Sequence, residues 1–549
     1  MPRVVCSCRL ILLLTLCWAF AKTGYSQPQL PGSQVRVEKL FDARLTDAER
    51  VELSPTLPAL DTTIQTQRYE VVPVRSDIAY NPPKIKPLAI KTAEPDPAYK
   101  GFARLGAGYP LAWIGDLGYV TRTGPLALRS DLHAYGFRGN YNDDQRYNEV
   151  SALLGASYFA DNGLSIDLDF DFDRRDYRYY GFAEAVNDTS RTLTEEQVGQ
   201  HFGNFGVHAG IRNSRPTTSG IDYYGRIGFD ILADNFASKE RRTQIEAGGR
   251  KDFSDNWYAE LGIDLDLLNF EADTEQKLNN YSLLPTVGAH FDQFGVRLGA
   301  RISNSSDTFR LFPALELSYG LGGGFVAVLG ADGGFRQNGY RNLTAYMPYL
   351  VRDPRITNAE HWRAYAKFQG HTQGVTYTLT ASYSHINDLA VFFQDSLLEY
   401  KFRPAYDTAD VIGFKAEAAI PISQRITGSL LLENRIFSQK RFERPYLLPS
   451  FDAQLRIGYT VIPEKLNVEG IFVAQNALPW AGIGPTDTIR VDAEDTGVLL
   501  DLSFHGDYTF SQKISAFAQF NNLFNNRRRM FPYYPTIGAN ILLGLRARF

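Results

Sequence analysis

Cysteine is almost absent from this 549-residue chain, and the three present, Cys6, Cys8 and Cys17, crowd its amino end. They lie in a segment with basic Arg3 and Arg9, an apolar run over residues 10–21, and small or polar residues up to Ser26 and Gln27. That pattern reads as a secretory signal over residues 1–26, too short to span and anchor. A chain cleaved there holds no thiol, which excludes disulfides and cysteine-ligated metals. Beyond the signal no stretch of about 20 consecutive apolar residues occurs, so membrane helices are excluded as well. The formal net charge of −4 provides no basic face for nucleic acid.

Catalytic patterns are missing too. The nearest trio among the eight histidines is His361, His371 and His385, without the His-x-x-x-His spacing of a metal site. Gly322, Gly323 and Gly324 lack the Lys-Ser/Thr of a phosphate loop, so hairpin geometry explains them. Ser384 and His385 are adjacent, and neighbours on a strand point to opposite faces, which argues against a dyad. The expectation is a protein that is not an enzyme and carries no cofactor or metal.

Aromatic residues, by contrast, make up 13% of the chain, with Tyr 31 and Phe 36. From Phe102 onward, strand-length segments with alternating polarity follow one another to the end of the chain. The carboxyl end shows the pattern: Ile537, Ala539, Ile541, Leu543, Leu545, Ala547 and Phe549 alternate with small or polar residues, and only Leu542 breaks the order. In residues 164–173, Leu164, Ile166, Leu168, Phe170 and Phe172 alternate with Ser165, Asp167, Asp169, Asp171 and Asp173. Four aspartates facing a dry core would be ruinous, whereas a watery lumen tolerates them while the opposite row meets hydrocarbon. They could also be read as a calcium ladder, although arginine or lysine from a neighbouring strand is the usual neutraliser.

Connections alternate in length. Short turns fall at 123–125, 160–163, 254–256, 292–294, 322–324, 372–374, 423–425, 463–465 and 511–513; longer polar segments fall at 140–148, 181–200, 235–242, 272–280, 337–360, 389–410, 438–449, 478–496 and 526–536. These features predict an all-β fold, a transmembrane antiparallel up-and-down β-barrel of about 22 strands over residues 100–549, with short periplasmic turns and long extracellular loops. Such a barrel would be on the order of 40 Å across. Its place would be the outer membrane of a Gram-negative bacterium, surrounded by lipid, with both termini periplasmic. Clusters such as residues 177–182, 223–224 and 531–534 fit an interfacial aromatic girdle, or in the loops a ligand-stacking surface.

Residues 27–99 differ in composition, with ten prolines and no sustained periodicity. Proline removes ladder donors and stops helices, so this segment should be extended and irregular. It reads as a periplasmic tether or as a lumen-lining strap anchored near Tyr69 to Val74.

The closing residues carry a resemblance. Residues 516–525, ending in Asn522-Leu-Phe-Asn525, followed by Tyr533-Tyr-Pro535, Gly538 and the terminal segment from Gly544 to Phe549, resemble the last two strands of TonB-dependent receptors. The resemblance implies a 22-stranded barrel engaged in solute uptake, and a carboxyl-terminal signal, Leu545 and Phe549, read by the outer-membrane assembly machinery. It covers the barrel only. A plug domain precedes the barrel in that family, and residues 27–99 offer about half the length a plug needs. Glu70, Val71 and Val72 weakly echo the short motif that engages TonB. The alternative is a scaffold barrel holding partners such as surface lipoproteins.

Overall fold

The computed structural model describes residues 99–186, 193–306, 308–484 and 489–549. The segment 27–98, with Glu70, Val71 and Val72, lies outside the described residues, as does the signal. What is described belongs to one compact unit, Thr92–Phe549.

Twenty-two antiparallel strands close into a barrel. The first, Gly101–Tyr109, pairs with the second, Ala112–Thr123, on one side and with the last, Asn540–Arg548, on the other. The closing register runs unbroken from Phe102↔Arg548 to Tyr109↔Ile541, so no edge is left unpaired. Two short hairpins are additional to the barrel strands: Pro479–Ile483 with Ile489–Asp495, which joins the wall by a parallel pairing of Gly482 and Ile483 with Gln394 and Asp395, and Arg529–Phe531 with Tyr534–Pro535, which is separate. Among the described residues only three short helices occur, Phe182–Val186, Glu195–Val198 and Tyr340–Tyr346, and none is long and apolar enough to cross a membrane.

One rim carries the short turns. Nine were visible in the alternation of polarity; a tenth, residues 214–220, joins Gly199–Asn213 to Ile221–Asp234. The opposite rim carries the long connections, but three of these are shorter than expected. Residues 235–242 are half strand and 272–280 and 389–410 mostly strand, leaving loops of only 235–238, 272–274 and 396–401. The reason is physical: beyond the lipid the wall has no greasy face to maintain, so alternation fades while the ladder continues. Ion pairs hold it there, as where the Arg242 guanidinium grips Asp266 through Nε at 2.7 Å and Nη2 at 2.6 Å.

The outer face is apolar and exposed. Ile166, Leu168, Phe170 and Phe172 are each 38–41% exposed, and Leu543 and Leu545 more so. Aromatic pairs lie along the short-turn rim, among them exposed Trp257 with Phe291 and exposed Phe294 with half-buried Tyr319, the arrangement expected where a barrel meets the headgroups. Leu542, the residue that breaks the alternation of the last strand, turns to the inner face and packs with Ala112, Ile114 and Phe517. A small core thus backs the seam.

Candidate functional site: a lid packed into the barrel mouth

The largest buried apolar cluster lies at the long-loop end, assembled from residues of several loops and the wall they touch. Its centre is residues 339–356. The helix Tyr340–Tyr346 starts at Gly339, where an added Cβ would stand 2.6 Å from Leu268 Cδ1 and 2.8 Å from Glu240 Oε2. A larger residue there would have to displace the buried ends of Leu268 and Glu240.

The helix is fastened to the wall by polar contacts. The Tyr340 hydroxyl donates to Asp234 Oδ2 at 2.7 Å, and the Arg341 amide donates to Glu240 Oε2 at 3.2 Å. Its guanidinium reaches Asp230 Oδ1 at 3.2 Å and also touches Asn204 Oδ1. On the other side the Tyr346 hydroxyl donates to the Leu447 carbonyl. Leu343 and Met347 fill the space between, each almost fully buried.

Beyond the helix stands a tyrosine stack. The rings of Tyr349 and Tyr534 lie 3.7 Å apart at 14°, and Tyr177, Tyr179, Tyr180 and Phe531 surround Tyr349. These rings come from separate loops, so the stack joins them into one lid. Burial drives the hydroxyls of Tyr179, Tyr340, Tyr349 and Tyr534 well above the usual tyrosine value, and pushes Tyr346 up to about 12. They remain neutral donors: Tyr179 to Gln200 Oε1 at 2.6 Å, Tyr534 to the Tyr400 carbonyl at 2.7 Å. The clusters at 177–182 and 531–534 are therefore packed core, neither a girdle nor a free stacking surface.

Two cations are enclosed with them. The Lys401 ammonium sits 4.9 Å from the ring centroids of both Tyr179 and Phe236, and burial holds it below the usual lysine value. Arg528 is 5% exposed, and its Nη1 donates to Gln475 Oε1 at 2.5 Å. Alternating polarity carries no signal for either residue, because both lie in loops.

The four aspartates lie on the strand Leu164–Arg178, on the face opposite the exposed apolar row, and each has a partner. Asp167 accepts from Ser157 Oγ at 2.5 Å, Asp169 from Arg129 at 2.7 Å and Asp173 from Arg175 at 3.1 Å. Asp171 meets His208 Nε2 at 3.0 Å. Asp171, His208 and Asp230 are close enough to share a metal ion, but Arg341 already brings a cation to Asp230. Of the trio read in the sequence, His371 pairs with Thr376 and His385 with Asp410, while His361 is buried in the wall; the three do not converge.

At the carboxyl end, Leu545 is exposed opposite Leu105 and Ala516. The Phe549 ring stacks on Tyr119 at 6.4 Å, and its carbonyl accepts from Lys100 N at 2.8 Å and Gly101 N at 2.9 Å.

A closed 22-stranded barrel with a loop-filled mouth defines a class: the fold is that of the TonB-dependent receptor barrels. No family model matches this chain, and no curated protein does. Among solved structures it is similar to the FrpB iron transporter from Neisseria meningitidis, with 8% identity over 83% of this chain and 83% of that one and a TM-score of 0.65. The siderophore receptor PirA from Acinetobacter baumannii is similar over 82% of this chain and 80% of its own, with 11% identity and a TM-score of 0.63. The ferric enterobactin receptor PfeA from Pseudomonas aeruginosa, solved in complex with enterobactin, gives 11% identity, 82% and 81% coverage and a TM-score of 0.64.

Proposed function

We propose that the protein is an outer-membrane receptor barrel that takes part in solute uptake, with the lid facing outward and both ends of the barrel periplasmic. The observation that carries this reading is the lid. An uptake barrel of this width must be shut between solutes, and the loops provide the shutter. The exposed apolar band supports a place in lipid, and the similar solved structures are an iron transporter and siderophore receptors. A ferric chelate is therefore the first solute to test. Residues 1–26 serve as the export signal, 27–99 as a periplasmic or lumenal segment in which Glu70, Val71 and Val72 contact TonB, and 100–549 as the barrel. Leu545 and Phe549 form the assembly signal.

The test is uptake of ferric siderophores by cells deleted for this chain, compared with the parent and a complemented strain. Lower uptake restored by complementation is expected. Equal uptake, together with stoichiometric co-purification of surface lipoproteins from native membranes, would replace this reading with the scaffold. Deleting residues 27–99 tests the segment: unchanged permeability to large antibiotics would show that it blocks nothing.

A further inference from the structure

The central residue of Arg527-Arg528-Arg529 is treated differently from its neighbours. Arg527 reaches outward to Asn140 and Arg529 to Glu184, both in exposed contacts, whereas Arg528 is buried. Its position is fixed at three points. Its amide donates to Asn526 Oδ1 at 3.0 Å, its carbonyl accepts from Thr536 N at 2.8 Å, and its Nη1 is held by Gln475. Asn522 secures this loop in turn, donating to the carbonyls of Asn526 at 2.8 Å and Ile537 at 2.9 Å.

What is left over is one edge of the guanidinium. Nε and Nη2 are both buried and have no hydrogen-bond partner. These two parallel donors form the side-on fork that matches the two oxygens of a carboxylate or phosphate. Elsewhere in the chain that same fork is filled: Arg242 closes it on Asp266. Here the nearby carboxylate, Asp452, is already engaged by Arg435 Nη1 at 3.3 Å and by Gln475 Nε2 at 2.5 Å. The Gln475 amide thus stands between Asp452 and Arg528, donating to the carboxylate and accepting from the guanidinium. Besides Asp452, Tyr346 bears on Arg528, and Arg435 bears in turn on Tyr346. Leaving a charged fork dry and empty is costly, and the cost is recovered when an oxyanion enters.

We infer that the Arg528 fork is an occluded oxyanion site, which receives a carboxylate or phosphate group of the transported solute when the lid closes on it. The inference rests on the uptake reading for its solute, but the site itself is tested by binding alone. Full-length protein in detergent is titrated calorimetrically with citrate and with inorganic phosphate at constant ionic strength. Saturable binding of at least one probe is expected. Arg528→Lys should weaken it about tenfold or more, since an ammonium keeps the charge and loses the fork, and Arg528→Met should abolish it. The paired control Arg527→Gln with Arg529→Gln should bind as the parent does.

Stability gives a second readout. In anion-free buffer Arg528→Met should unfold at the parent's temperature or above it, because the variant removes an uncompensated charge. A marked loss of stability would mean that the fork is satisfied within the protein, and would overturn the inference. So would the absence of saturable binding to either probe, or equal binding by Arg528→Met. Binding that depends on Arg528 in a protein whose deletion leaves uptake unchanged would instead sink the uptake reading and keep the site.

Discussion

Replacing Tyr349 by alanine should unlatch the lid without unfolding the barrel. The ring is nearly buried, lies face to face with Tyr534 at 3.7 Å, and touches Tyr177, Tyr179, Tyr180 and Phe531. Truncating a buried aromatic to alanine costs about 3–5 kcal/mol, the lost ring contacts included. The loss falls on the lid alone, because the wall is held by ladder hydrogen bonds that the ring does not make. At 1.4 kcal/mol per factor of ten, the open population of the loops should rise by roughly two to three powers of ten. Two assays read this. Trypsin should cut the folded variant after Arg352 and Arg355 much faster than the parent, and cells making it should become sensitive to large antibiotics. Parental cleavage rates and parental resistance would show that the tyrosine stack does not hold the lid.

Further predictions concern the wall, the tail and the enclosed lysine. Leu168→Arg places a charge on the exposed apolar row and should destabilise the barrel in bilayers by about 2–4 kcal/mol, measured by urea unfolding; a cost within error of zero would mean that this face does not meet hydrocarbon. Removing Phe549 deletes the ring on Tyr119 and the carbonyl that accepts from Lys100 and Gly101, so surface levels should fall, and normal levels would refute its role in assembly. Burial lowers the Lys401 value in the folded state, with Arg352 adding to it and Asp234 and Asp395 opposing. The folded chain then binds fewer protons there than the unfolded chain. Stability from this group should therefore rise with pH as the ordinary lysine value is approached, read by thermal unfolding across the alkaline range. Lys401→Met should abolish that slope, and an unchanged slope would exclude Lys401 as its source.

The wall was legible because lipid imposes a rule on every second residue. Ile166 to Phe172 and Leu543 to Leu545 obey it, and the exception, Leu542, proves to be an inward packing residue. The rule stops where the lipid stops. Residues 389–410 read as a loop in which Val391, Phe392 and Phe393, which do not alternate, could extend a strand. They do so within Val375–Asp395, and all three are buried, since both faces of the wall are covered there by other loops. The lid was hidden for the same reason. Tyr179, Tyr349 and Tyr534 are far apart in the chain, and nothing in local spacing shows that they stack. Arg528 was hidden within a run of three arginines that, read as sequence, are equivalent.

The polar fastenings of the lid are unevenly distributed, and this bears on how it would open. On the side of the strands Gly199–Asn213 and Ile221–Asp234, the helix Tyr340–Tyr346 is tied down by Tyr340 to Asp234 and by Arg341 to Asn204, Asp230 and Glu240. Every one of those links involves a charged group and would have to be resolvated to break. On the side of Gln475 and Arg528 the ties are Arg528 to Gln475, Arg529 to Glu184 and Arg527 to Asn140. The last two are exposed, and exposed ion pairs and hydrogen bonds add little. Dry donors remain on both sides, Arg341 Nε on the first and the Arg528 Nε and Nη2 pair on the second, so water entering on either side satisfies a donor that the closed state leaves unpaired. An oxyanion filling the Arg528 fork would supply a buried link where the Arg527 and Arg529 ties are exposed, and would hold the lid shut on that side.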